Sequence, residues 1–279
     1  MPELAAEARE RRKDIHNRFK HIDSFQADNL SNPQAESVFP FPFIGLAMPD
    51  RFKLSEENWG YLLRSGHKES WQYSGRRKFK ELVQKLKNVQ DSEVHNIVWL
   101  YGIQGCGKSH LLAVLVCCLI GEDERVVYIP DCRELLKNPV GYVRAAMLFA
   151  WATDITTQEE IMILDTLDEI EDFFMSQNKV LFVVDQLDAF NSDGSGEEKV
   201  EHAESAEIRT WIMRFTSHSK AVFGLSTNNV DFFEKSVERN SALLVPGGLD
   251  SVSYRKLCYN MASDSIRRKW ATGGGDIAK

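Results

Sequence analysis

A chain of 279 residues, 43% of them hydrophobic, has the length and apolar content for one large domain with a real core, and its formal charge of −7 argues against a broad nucleic-acid-binding face. Five cysteines with no C-x-x-C pair exclude a zinc ribbon and suit a reducing compartment. Residues 1–13 hold no secretory h-region and no apolar run is long enough to span a bilayer, so the expectation is an intracellular protein, cytoplasmic or nuclear, without a membrane partner.

In chain order, residues 2–25 read as a charged helix with scattered apolar positions (Ile15, Phe19, Ile22) that packs loosely or is partly disordered. Residues 29–49 are loop-like. There Phe39-Pro40-Phe41-Pro42-Phe43 cannot form a helix or a central strand, and is expected to lie extended across a hydrophobic surface. Residues 55–88 read as helical, with apolar positions at i, i+3, i+4 and i+7 over 79–86. Strands follow at 96–101, 125–130, 179–185, 220–226 and 242–245, with helices near 108–120, 138–151, 157–176 and 203–217. Near-continuous apolar strands alternating with helices predict an α/β fold, a parallel sheet covered on both faces. The acidic stretch 191–204 reads as a flexible insertion and 250–279 as a short helical tail. Three units result: an N-terminal helix and Pro/Phe-rich extension (1–54), a P-loop NTPase domain (55–250) and the tail (251–279). The basic clusters at 11–13, 76–78 and 267–269 read as solvated faces.

Between the first predicted strand and the apolar run 110–120 stands Gly102-Ile103-Gln104-Gly105-Cys106-Gly107-Lys108-Ser109, a G-x-x-x-x-G-K-S phosphate loop. Glycines let backbone N–H groups turn inward around phosphate oxygens, and the helix that follows presents its positive dipole end. These eight residues and His110 form the expected nucleotide-binding set, with Lys108 reaching the β- and γ-phosphates and Ser109 holding Mg²⁺.

A second signal is the apolar strand ending at Asp185, the expected Mg²⁺ carboxylate opposite Ser109. The next residue is Gln186, which cannot accept a proton at neutral pH but can orient water. Asp188 is either the missing base or a cap for the following segment. Beyond the strand 220–226, Asn228 is either a γ-phosphate sensor or a turn-former, and Arg239 either an arginine finger for a neighbouring subunit or a surface residue. Asn228-Asn229-Val230-Asp231 imitates a guanine-reading motif, but Asp185-Gln186-Leu187-Asp188 lacks the switch glycine, so ATP is preferred to GTP. The histidines show no ligand spacing.

The phosphate loop, Tyr128-Ile129-Pro130-Asp131-Cys132, Asp185-Gln186, Pro246-Gly247-Gly248 and Trp71-Gln72-Tyr73-Ser74-Gly75-Arg76 together resemble the ATPase module of Crinkler-type and retrotransposon-hot-spot-type proteins, which is similar to the wider AAA+ and STAND group. That resemblance implies Lys108, Ser109 and Asp185 as nucleotide and magnesium residues, Gln186 as a family feature, and Gly75-Arg76 near the adenine. The translocation header and nuclease domain of many Crinklers have no counterpart here. The expected function is a slow Mg²⁺-dependent ATPase acting as a nucleotide switch, with Lys108, Asp185, Gln186, Asp188 and Asn228 as the catalytic set. The partner would be another protein or a second copy, and nothing supports nucleic acid. The alternatives are a non-hydrolysing, nucleotide-gated interaction module and, third, a small-molecule kinase.

Overall fold

The computed structural model describes residues 1–20, 29–33, 35–45, 48–53, 70–89, 96–190, 199–217, 219–226 and 242–245, with backbone alone for 199–204. A five-stranded sheet forms its centre. It comprises β3 (Ile97–Gly102), β4 (Val126–Ile129), β5 (Leu181–Val184), β6 (Lys220–Ser226) and β7 (Ala242–Leu244), in the order β4-β5-β6-β3-β7, and every pairing is parallel. Each of the five predicted strands is present. The continuous apolar runs are explained by burial on both sides: all four residues of β4 and of β5 are buried.

The helix α3 (Lys108–Gly121) leaves the phosphate loop and is apolar all round, as a helix enclosed on every side must be. Its Leu112 lies over Gly224 of β6. Alternation along the strands then puts Phe182 and Phe223 on the opposite face. There Phe182 meets Phe174 of α7 (Leu167–Ser176) and Phe215 of α8 (Lys199–Thr216), with ring centroids 5.0 and 5.1 Å away. Helices therefore cover both faces. Three further helices complete the central region: α4 (Cys132–Lys137), α5 (Pro139–Ala150) and α6 (Ile155–Met162).

Three local expectations are corrected. The helix α1 (Pro2–Phe19) is docked, not loose: it lies along α3 and α5 and buries Ala5, Ala8, Ile15 and Phe19. Within 55–88, residues Ser70–Ser74 form β2, antiparallel to β1 (Glu36–Pro40), and only α2 (Lys78–Asn88) is helical among the described residues there. Trp71 and Tyr73 are buried, and an alternating burial pattern suits a strand, not a helix. The single helix expected over 157–176 is two, broken before Thr166, whose side chain caps α7 in a capping box with Glu169.

The Phe39–Phe43 run behaves as its prolines dictate. Pro40 ends a strand at the edge of a two-stranded ribbon, and Phe41 and Phe43 are buried against Tyr128 and Tyr142. Nor are the basic clusters simply solvated: Arg12 is 6% exposed and donates to the Glu124 carbonyl, while Arg76 faces the phosphate loop. Of the insertion expected over 191–204, residues 199–204 are instead the start of α8, and 191–198 lie outside the described residues, as do the tail 250–279, Asn228 and Arg239.

Candidate nucleotide site

The carboxyl ends of β3, β4, β5 and β6 open on a cleft of about 930 Å³, the edge at which parallel α/β sheets take their ligands. The cleft is lined by Gln104, Gly105, Gly107, Lys108, Ser109 and His110 from the loop and α3, and by Asp185, Gln186 and Asp188 from the end of β5. The residues singled out in these two sequence segments thus meet in one place.

The loop needs its glycines. Gly102, Gly105 and Gly107 have φ of 150°, 80° and 89°, conformations that L side chains rarely adopt. A Cβ on Gly102 would stand 2.3 Å from the Val245 carbonyl oxygen, and one on Gly107 2.6 Å from the Arg76 guanidinium carbon. Within the loop, the Lys108 ammonium donates to the carbonyls of Gly102 at 3.0 Å and Ile103 at 2.8 Å and lies 3.5 Å from Cys106 Sγ. Only 6% exposed, it stands at the centre of curvature of the loop. Ile103 and Gln104 are exposed on its outer turn.

Asp185 is 1% exposed and is placed by the β4–β5 ladder, its amide donating to the Ile129 carbonyl at 2.8 Å. Its Oδ1 accepts the Gln186 amide at 2.9 Å, and the Ser109 hydroxyl faces the same carboxylate closely enough to oppose the rise in its pKa. Burial pushes Asp185 up to about 6, against the pull of Arg51, Ser109, the Gln186 amide and Lys108. Oδ2 is buried with no hydrogen bond among the described residues. A hydroxyl and a carboxylate with an unsatisfied oxygen are hard donors, and they fit a magnesium ion that takes its other ligands from phosphate and water. Among the described residues there is no cluster of three or more His, Cys, Asp or Glu suited to a metal.

Gln186 has φ of 61°, a left-handed turn that takes the chain away from β5 into the 3₁₀ turn Leu187–Phe190. Asp188 then accepts the Ser226 amide at 2.8 Å, tying the end of β5 to the end of β6. The bond runs to a residue 38 positions on, so it is not the cap of the following segment that the sequence suggested.

Four further residues complete the site: Arg76 and His110, which the sequence analysis places near the nucleotide, and Arg51 and Asp131, for which it gives no site role. Arg51, in the 3₁₀ turn Asp50–Phe52, donates to Asp131 at 2.9 Å and to the Pro130 carbonyl, and its Nη2 stands 3.5 Å from Asp185 Oδ2. Asp131 also caps α4 and binds the Arg133 guanidinium. Burial alone would raise it, but the bonds from Arg133 and Arg51 hold it below the usual carboxylate range. Arg76 lies against Gly107, and it reaches the phosphate loop because Gly75 lets its strand pass close to Asn32, whose carbonyl oxygen would be 2.0 Å from a Cβ. His110 packs between Phe52 and Trp71, with centroids 4.9 and 5.6 Å away. Burial first, then Arg76 and Arg51, push it down to about 3, so it is neutral at physiological pH.

With this geometry established, comparison with known proteins is informative at one point. Residues 75–159, less than a third of the chain, match the family model of DAP3, mitochondrial ribosomal death-associated protein 3. No curated protein matches the chain. The segment runs from Gly75 through the phosphate loop to α6, and it includes much of what suggested Crinkler and retrotransposon-hot-spot proteins. That resemblance is withdrawn, because a phosphate loop and an acid-ended strand report a type of site that many families share. The cytoplasmic or nuclear expectation is withdrawn as well, since the matching family is described as mitochondrial. Lack of an apolar h-region tests only the secretory route, whereas mitochondrial targeting uses amphipathic, Arg-rich segments. Among the described residues no helix is long and apolar enough to cross a membrane.

Proposed function

We propose that this chain is a nucleotide-binding protein of the mitochondrial ribosome, holding Mg²⁺-ATP in the cleft as a switch or structural ligand with slow turnover. The observation that carries the reading is the meeting of Lys108, inside the curve of the loop, with the Ser109–Asp185 pair and its unsatisfied Oδ2. Lys108 would leave its loop carbonyls for the β- and γ-phosphates, the loop amides and the start of α3 would take the remaining phosphate charge, and Ser109 and Asp185 would hold the magnesium. Magnesium, when bound, neutralises phosphate charge.

Slow turnover follows from the lining of the cleft. Gln186 has no basic oxygen of carboxylate strength, and the other carboxylates there are engaged. Asp188 holds the Ser226 amide, Asp131 holds two arginines, Glu134 pairs with Lys137 at 2.8 Å and Asp50 with Lys53. A water-positioning role for Gln186 belongs to this reading, as do ribosomal protein or RNA partners, taken from the description of the matching family.

The test is thermal unfolding with ATP, GTP, ADP and AMP, with and without Mg²⁺, beside phosphate release. At a hundredfold excess over Kd, a ligand bound only by the folded state adds ~2.7 kcal/mol, which in a chain of this size is a rise of roughly 5 °C in Tm. Wild type should show it with Mg²⁺-ATP and Lys108→Ala should not. GTP stabilising more than ATP would correct the base. No shift with any nucleotide would defeat the reading.

A further inference from the structure

We propose that Arg51 is the residue that distinguishes a triphosphate from a diphosphate in this cleft, an arginine supplied in cis by the segment ahead of the sheet. The inference rests on the nucleotide reading above and adds to it a specificity determinant outside both sequence motifs.

Among the described residues three guanidinium groups surround the cleft, and their positions separate their roles. Arg76 lies against Gly107, at the start of α3, where the inner phosphates of a loop-bound nucleotide belong. Arg133 is largely exposed and committed to Asp131 by two bonds of 3.2 and 3.0 Å. Arg51 alone of these reaches Asp185, at 3.5 Å, and so stands where a metal-bridged terminal phosphate would lie.

The Arg51–Asp185 pair is only half satisfied. Asp185 Oδ2 accepts no hydrogen bond and Arg51 Nε donates none among the described residues, although both atoms are buried. A buried ion pair with unfilled hydrogen-bonding capacity is poor value for stability alone. Both shortfalls are removed together if a divalent cation takes the carboxylate and a phosphate oxygen takes the guanidinium. Planar guanidinium is suited to phosphate because it can present two N–H groups at once.

The guanidinium is also held in place by the fold. Its carrier turn is anchored by Phe52, whose ring packs on Trp71 at 5.4 Å and on His110, the residue after Ser109, at 4.9 Å. Arg51 itself stands over the Phe52 ring at 5.1 Å. Asp131 and the Pro130 carbonyl fix its other edge. A phosphate arriving at Arg51 is thereby felt in the β1–β2 ribbon through Trp71, which gives the N-terminal segment a reason to respond to the nucleotide.

The experiment is titration of the full chain with fluorescent N-methylanthraniloyl ATP and ADP in Mg²⁺, for wild type, Arg51→Met, Arg51→Lys, Arg76→Met and Lys108→Ala, with circular dichroism to confirm folding. Wild type should prefer ATP. Arg51→Met should weaken ATP at least tenfold and leave ADP within twofold, Arg51→Lys should be intermediate, and Arg76→Met should weaken both nucleotides alike. If Arg51→Met lowers both equally, or if wild type and Arg51→Met discriminate to the same degree, the inference is overturned while nucleotide binding stands. If wild type binds neither nucleotide, or Lys108→Ala binds both as wild type does, the nucleotide reading itself fails and the inference falls with it. Should Arg51→Met not fold, Arg51→Lys decides: an unchanged ATP-to-ADP ratio with a shortened, single-point cation overturns the proposal.

Discussion

Gly224 lies in the middle of a strand, where glycine is ordinarily a weakness, yet here its missing side chain makes room for the site. A Cβ would stand 2.6 Å from Leu112 Cδ1 and 2.9 Å from Asp185 Oδ1. Gly224→Ala must therefore displace the Leu112 side chain, the carboxylate or both. We expect a loss of about 1–3 kcal/mol of stability, as for other overpacked cores, with a weakened Mg²⁺ dependence of ATP binding. Urea unfolding and ATP titration in EDTA and in Mg²⁺ check both, and an unchanged magnesium response would show that Asp185 is not held by this contact. Asp188 offers a second prediction at the same scale. Its Oδ1 takes the Ser226 amide, and Asn keeps an oxygen for that bond while Ala does not. Asp188→Ala should cost about 1–3 kcal/mol by stranding that amide, whereas Asp188→Asn should match wild type in stability and in phosphate release. Loss of turnover in Asp188→Asn would restore the base reading. Lys108, Ser109, Asp185 and Gln186 were legible because motif spacing puts the first two at the start of a helix and the last two just past the end of a strand. Arg51 and Asp131 were not. They meet across 80 positions of sequence, and no local periodicity encodes such a pairing.

At the scale of elements, helix starts and close packing decide what the apolar pattern leaves open. The strands were legible because burial on both faces requires unbroken apolar runs. The break between α6 and α7 was missed although its signal was there, Thr166 followed three residues on by Glu169. The strand β2 was missed because its partner is 30 or more positions away and five residues alternate too briefly to outweigh the helical pattern after them. Asp154 caps α6 through the Thr157 amide at 3.1 Å, and that bond, with one from the Thr157 hydroxyl, holds its carboxyl below the ordinary value of 3.8. Its folded-state pKa lies below its unfolded value, so the cap contributes fully above the unfolded pKa and is lost as pH falls through the folded one. Asp154→Ala should cost about 1 kcal/mol at neutral pH, Asp154→Asn much less, and the difference from Ala should vanish in the wild type at acid pH. Chemical denaturation at pH 7 and below pH 3 measures this.

For the molecule as a whole, the question is whether the N-terminal segment is an appendage or part of the core. One continuous buried cluster contains Ile15 and Phe19 of α1, Phe41 and Phe43 after β1, Trp71 and Tyr73 of β2, and the apolar residues of α3, α5 and the sheet. The contact between α1 and α3 is intimate, since a Cβ on Gly121 would lie 2.5 Å from the Phe19 Cβ. Arg12 adds a buried guanidinium that lowers its own pKa to about 10 through burial, and it donates to the Glu124 carbonyl at 2.8 Å. Fully burying a side chain such as Ile15 or Phe19 is worth ~1.5–3 kcal/mol, so losing α1, β1 and the buried Phe41 and Phe43 forfeits an amount comparable to the 5–15 kcal/mol by which whole proteins are stable. A chain beginning at residue 55 should therefore fail to fold, and it would leave the apolar surface of α3 and α5 open to aggregation. Gly121→Val, a gentler probe, should prise α1 away and lower the unfolding midpoint without touching the cleft. Limited proteolysis then separates the cases. If α1 is part of the core, Gly121→Val makes the Arg-rich helix cleavable while Mg²⁺-ATP still protects the remainder. A truncated chain that folds and binds nucleotide as tightly as the full one would show that the N-terminal segment is carried by the domain and does not help to build it.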